Sequence, residues 1–137
     1  MSDKVKILKD ATENWLKVAN APALDNELYI MTPYFTGSIM SNIVQSAGQK
    51  EIHFITELSS NSILFGSVDL EIVENLLEQG VFVYSRSNLH AKLIYNGFSA
   101  VIGSQNFTRK GQSNLEVSVF LGETVIDHQL LTLVIKE

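Results

Sequence analysis

The sequence contains no cysteine. That excludes a disulfide framework, a thiolate zinc centre and cysteine nucleophilic chemistry, and it leaves the redox compartment open. Proline occurs only twice. No apolar run approaches the ~20 residues that a membrane-spanning helix requires. The N-terminal stretch "MSDKVKILKDATENWLKVANAP" is charged throughout and carries no apolar segment of the secretory kind, so no membrane attachment and a cytoplasmic location are expected. With 45% apolar and 18% charged residues, the chain has the composition of an ordinary folded globule. Its 137 residues suit one domain, 1–137, able to bury roughly two-thirds of its unfolded surface. That length fits either a natural chain or a segment of a longer enzyme.

A more local absence is more informative. The net charge is −5, from ten bases and fifteen acids, which argues against a protein that coats nucleic acid nonspecifically. Yet no Asp or Glu lies between Glu78 and Glu116, whereas Arg86, Lys92, Arg109 and Lys110 all do. The acids are concentrated elsewhere, and one spot is left cationic. An anionic partner at that spot follows.

The patterns that are present describe an α/β protein. Residues 3 to 19 space Val5, Leu8, Ala11 and Trp15 as one amphipathic helix. "ELYIMTPYF" (27–35) predicts a buried strand, "TGSIMSNIVQSAG" a helix closed by Gly48, and "EIHFITEL" (51–58) a second strand. Asp69 caps a helix over "LEIVENLLEQG", and "VFVYS" (81–85) is a third strand. This alternation predicts a mixed, mostly parallel sheet flanked by helices. "LHAKLIY", the turn Asn96-Gly97 and "FSAVIGS" then read as a hairpin that opposes Tyr95 to Phe98 and Leu93 to Ala100. "LEVSVFLG" (115–122) is a further strand, and "TVIDHQLLTLVIK" ends as a helix.

The hairpin carries the chemistry. His90 and Lys92 are two apart, so a strand places them on one face. The returning strand brings Ser104 and Asn106 beside them, with Gly103 allowing a close backbone approach. Taken singly, each has a bland reading: a surface histidine, a turn cap, a loop tie, a solvated basic pair. Together they converge a point charge, a hydroxyl and an amide on one place with no acid nearby, which suits a phosphoryl group.

This constellation resembles the signature of the phospholipase D superfamily: His-x-Lys, four residues, Asp, then Gly-Ser with an Asn soon after. His90, Lys92, Gly103, Ser104 and Asn106 match it, and the preceding strand–helix order also looks like that superfamily's domain. The Asp position falls on Gly97 instead, where the family's residue is mainly structural. Glu116 falls where nuclease-like members place an acid that orients the catalytic histidine. The resemblance implies a two-step, cofactor-free and metal-independent reaction through a phosphohistidine, which needs two His-x-Lys pairs. This chain has one, since His53 is followed by Phe-Ile and His128 by Gln-Leu. It therefore implies a homodimer sharing one site, with His90, Lys92, Ser104, Asn106 and Glu116 catalytic. Gly103, Arg86, Arg109 and Lys110 would contact the substrate. A short single-motif chain is most similar to the superfamily's endonucleases, including catalytic domains of metal-independent restriction enzymes, so DNA is the expected substrate. A phosphatidyl-group enzyme and an inactive DNA- or partner-binding module are the alternatives.

Overall fold

The computed structural model describes residues 5–59, 63–64, 69–108 and 115–137. Its elements, in chain order, are β1 (Val5–Leu8), α1 (Thr12–Asn20), β2 (Glu27–Met31), α2 (Ile39–Ala47), β3 (Glu51–Thr56), α3 (Leu70–Glu78), β4 (Phe82–Ser85), β5 (Leu93–Tyr95), β6 (Ala100–Gly103), β7 (Ser118–Leu121) and α4 (His128–Lys136). The strands form one sheet in the order β1-β7-β6-β5-β2-β3-β4. The sheet is mixed, but the expected parallel majority is not there. Only β2–β3 and β3–β4 run parallel, and the hairpin strands, β1 and β7 pair antiparallel. Helical crossovers connect the parallel strands; from β5 onward, the strands between Leu93 and Leu121 follow one another without an intervening described helix, and such connections favour antiparallel pairing.

Side chains alternate between the two faces. Leu28, Ile30, Ile52, Phe54, Ile94 and Val101 point to the side covered by α1, α2 and α3, where Trp15, Val18, Met40, Ile43 and Leu76 complete the main core. Each fully buried aliphatic side chain there contributes about 1.5–3 kcal/mol. Met31, Ile55, Leu93, Tyr95 and Ala100 point the other way, towards Leu131 and Ile135 of α4. A hydrogen bond between the Tyr95 hydroxyl and His128 Nδ1 (2.7 Å) fastens the start of that helix.

Two local expectations need correction. The first amphipathic stretch is not one helix. Val5–Leu8 is an edge strand on β7, and the helix begins only at Thr12, after the Asp10 carboxylate accepts the Thr12 backbone N–H and hydroxyl. An edge strand with Val5 and Ile7 exposed can share apolar positions with a helical repeat, so spacing alone could not separate them. The hairpin is also longer than a two-residue turn. Tyr95 opposes Ala100 and Leu93 opposes Ile102, which leaves Asn96–Ser99 as the loop. A two-residue type I′ turn needs positive φ at both central residues, and here Gly97 (φ 92°) has it while Asn96 does not.

Candidate active site

The site is built where β5 and β6 leave the sheet. His90 and Lys92 precede the three-residue strand β5 rather than lying within it, although the Gly103 N–H still bonds the Lys92 carbonyl at 3.2 Å. His90 is exposed, and Lys92 is only 8% exposed. The Lys92 Nζ lies 3.3 Å from both ring nitrogens of His90, so the ammonium can donate to whichever nitrogen carries the lone pair. Burial pulls the Lys92 ammonium below its ordinary value of 10.5, and the charge of Glu116 opposes that shift. Two of the expected members are thus joined directly, and Glu116 acts on the same cation.

The segment after β6 alternates as a strand would. Ser104 is exposed, Gln105 is 1% exposed, Asn106 is half-buried and Phe107 is fully buried. The inward residues bolt it to the core. Phe107 stacks on Trp15 (centroids 3.9 Å apart), and its carbonyl accepts the Thr36 N–H at 3.2 Å. Gln105 accepts the Ala11 N–H at 2.8 Å and donates to Asp10 at 3.0 Å, so it holds the start of α1. The alternate pair, Ser104 and Asn106, projects from the other side of this anchored segment.

Ser104 donates its hydroxyl to Glu116 Oε1 at 2.5 Å, and its oxygen accepts the Val117 N–H at 3.2 Å. Glu116 was expected to orient the imidazole of His90; in this structure its carboxylate accepts the Ser104 hydroxyl. The cause is the backbone bond from Ser104 N to the Val117 carbonyl (3.0 Å), which sets Glu116 across from the serine. Asn106 Oδ1 faces the Thr32 hydroxyl at 3.4 Å, leaving its amide N–H groups as donors. Gly103 is required for a reason other than a ligand. A Cβ there would come within 2.5 Å of the Ser118 Cα, so the glycine lets β7 approach and bring Glu116 with it.

Gly97, at the position of the missing aspartate, has φ 92°, and a Cβ would lie 2.3 Å from the Leu24 Cβ. A side chain does not fit. The preceding Asn96 does the tying. Its Oδ1 accepts the N–H groups of Phe98 and Ser99 (both 2.8 Å), and its amide donates to the Val18 carbonyl at 3.0 Å. Asn96 is 1% exposed, so it anchors the hairpin loop to α1 instead of serving only as a turn residue.

Arg86 is not gathered into this group. It follows β4 and lines a groove of about 430 Å³ with Tyr29, His53, Tyr84 and Lys136 on the face beside α4. Arg109 and Lys110 lie outside the described residues. Thr32, Gln105 and Asn96 are the supporting residues that spacing alone did not single out. All three are buried polar groups inside apolar surroundings, a signal that requires the fold to be seen.

A family model described as "Cardiolipin synthase, PLD-like domain" matches residues 17–133. Nuc from Salmonella typhimurium, a phospholipase D family member, superposes with a TM-score of 0.81 at 17% identity, over 97% of this chain and 91% of that one. NucT from Helicobacter pylori does so with a TM-score of 0.70 at 14% identity, over 96% and 90%. A curated relative, Fibrous sheath-interacting protein 2 of Mus musculus, is 25% identical over 132 residues, and the chain spans about 2% of its length. No helix among the described residues is long and apolar enough to cross a membrane. With the matched family model covering most of the sequence, and the sheet shared with these structures, the chain belongs to the phospholipase D-like domain family.

Proposed function

We propose that this protein is a metal-independent endonuclease that cleaves DNA phosphodiester bonds through a phosphohistidine at a site shared by two copies of the chain. The observation that supports this reading is the contact of His90 with the Lys92 ammonium, on which the charge of Glu116, the acceptor of the Ser104 hydroxyl, also acts. One imidazole cannot both attack phosphorus and protonate the leaving oxygen. In the reading advanced here, His90 of one copy forms the N–P bond while His90 of the other gives its proton to the departing alkoxide. Water then attacks the phosphohistidine, yielding its proton to the second imidazole, and the N–P bond breaks. Lys92 balances charge on the phosphoryl oxygens, Asn106 donates to them, and the Ser104 hydroxyl turns from Glu116 to donate there once substrate is bound. Glu116 positions the serine.

The surface supports a second copy. Leu133 of α4 is 62% exposed, with Leu130 and Val134 also exposed on the same helix, and Leu115, 91% exposed, adjoins Glu116 at the rim of the site. Exposed apolar area of this kind is what a self-complementary interface would cover. Phosphatidyl transfer is a second reading, favoured by the family description, which names cardiolipin synthase. A plasmid-nicking assay in excess EDTA, run beside a phosphatidylcholine hydrolysis assay, separates them. Nicking that persists in chelator, without lipid turnover, supports the nuclease. Lipid turnover alone, or nicking abolished by chelator, overturns it.

A further inference from the structure

At the far end of β2 and β3 a second cluster forms, which the phosphodiester chemistry does not use. β2 and β3 pair in parallel with Glu27 beside Glu51 and Tyr29 beside His53, and β3 pairs with β4 so that His53 is beside Phe82. Residues two apart share a face, so Glu27, Tyr29, Glu51, His53, Phe82 and Tyr84 all project together. The hairpin histidine sits beyond Met31, which opposes Leu93, whereas this cluster starts at Glu27. The two groups therefore lie at opposite ends of the strands.

His53 Nε2 is 2.9 Å from Glu51 Oε2 and 3.7 Å from Glu27 Oε2. One ligand atom from each residue can be chosen such that all three lie within 4.8 Å of one another. Tetrahedral zinc with ligand bonds near 2.0–2.2 Å separates its donors by roughly 3.4 Å, so small side-chain adjustments close the set. The outer contacts favour that set. The Tyr84 hydroxyl lies 2.9 Å from His53 Nδ1, so with a cation held at Nε2 the Nδ1–H has an oxygen to donate to. The Tyr29 hydroxyl donates to Glu27 Oε1 at 2.8 Å, keeping Oε2 towards the same point. The ring is clamped between Tyr29 and Phe82, with centroids 5.0 and 5.2 Å away, so its direction is fixed.

Two carboxylates and one imidazole nitrogen converge on one point, where the parallel register brings the like charges of Glu27 and Glu51 close together. That is an arrangement a cation relieves. The groove of about 430 Å³ opens onto the cluster, giving access and room for water as a fourth ligand. A set of one imidazole and two carboxylates suits a divalent transition ion over magnesium.

We propose that Glu27, Glu51 and His53 form a binding site for a zinc-like divalent cation, remote from His90 and joining β2 to β3. The test is titration of the full, chelator-stripped chain with Zn²⁺ by calorimetry, with thermal unfolding in parallel. One ion per chain is expected, with a rise in Tm that Mg²⁺ at equal concentration does not produce. Glu51→Gln, at an exposed position that leaves the ring stack intact, lowers affinity at least about tenfold, and His53→Ala does the same. His90→Ala retains the binding, which separates this site from the hairpin histidine. Binding unchanged in Glu51→Gln, loss of binding in a folded His90→Ala, or no equivalent bound at micromolar zinc overturns the proposal.

Discussion

Two of this chain's histidines stand in opposite electrostatic settings at opposite ends of the same strands. His90 has a buried ammonium 3.3 Å away, whereas His53 has a carboxylate at 2.9 Å and a second at 3.7 Å. Around His90 the neutral partners that the proposed function assigns are a hydroxyl and an amide, both suited to phosphoryl oxygens. Around His53 they are phenols that hold the ring and one carboxylate in place. The same side chain thus stands beside a cation at one end and beside anions at the other. What separates them is the sign of charge placed within a few ångströms, and the sequence arranges it by clearing acids from residues 79–115 while keeping Glu27 and Glu51 in register.

The largest effect that would sharpen this contrast is at the two rings themselves. His90→Ala is expected to lower DNA cleavage by about 10³-fold or more, since the nucleophile and the proton donor are lost together. His53→Ala leaves cleavage within about twofold. Comparable losses in both, measured as kcat on a defined duplex, would break the division of labour.

Next is Lys92. Its ammonium is held below 10.5, chiefly by burial, so cleavage is expected to fall on the alkaline side before an ordinary lysine titrates. The sign for stability is the reverse. Burial disfavours the charged form in the fold, so this group's contribution to stability rises as pH climbs through its folded value towards 10.5. Lys92→Arg carries a permanent charge and is expected to remove the alkaline limb from whatever activity it keeps. A pH–kcat profile for the two proteins decides it, and an identical limb in both would contradict the assignment.

A smaller effect is expected at Glu116. Replacing it with Gln turns a charge-assisted acceptor of the Ser104 hydroxyl into a neutral one, which costs about tenfold in kcat with KM little changed. Ser104→Ala in the same background should then add little, because the two act as a pair. Full additivity would separate them.

The last prediction concerns stability alone. Asn96→Ala removes a buried amide that bonds Val18, Phe98 and Ser99, at a cost of about 2–3 kcal/mol in denaturant unfolding. Gly97→Asp restores the family's acid, yet it is expected to destabilise because Leu24 and a φ of 92° oppose any Cβ. A stabilised Gly97→Asp protein would contradict the reading of that loop.

Much of the candidate site was legible before any fold was known. The alternation in "GSQNF" places Ser104 and Asn106 on one side, and the His-x-Lys spacing identifies the partner. Caps were equally readable: Asp69 accepts the Glu71 N–H at 3.0 Å, as its place ahead of an apolar repeat implies. What failed were inferences about tertiary context. Asn96 next to Gly97 is a strong signal for a two-residue turn, but the asparagine side chain is drawn inward by Val18, 78 residues away, and the register moves with it. Glu116 could be located but not its partner, because that depends on how closely Gly103 lets β7 approach. The Glu27–Glu51–His53 cluster left a partial trace. Glu51 and His53 are two apart on one strand, while Glu27 joins them only through the parallel register of β2 on β3.

The measurement closest to the central claim is a covalent one. Rapid quenching of the chain during turnover of a DNA duplex in EDTA, followed by peptide mass spectrometry, should reveal an acid-labile nucleotidyl phosphate on His90. It should be absent from the His90→Ala protein. Turnover with no adduct at any time point, or an adduct on another residue with His90 unmodified, would contradict the account.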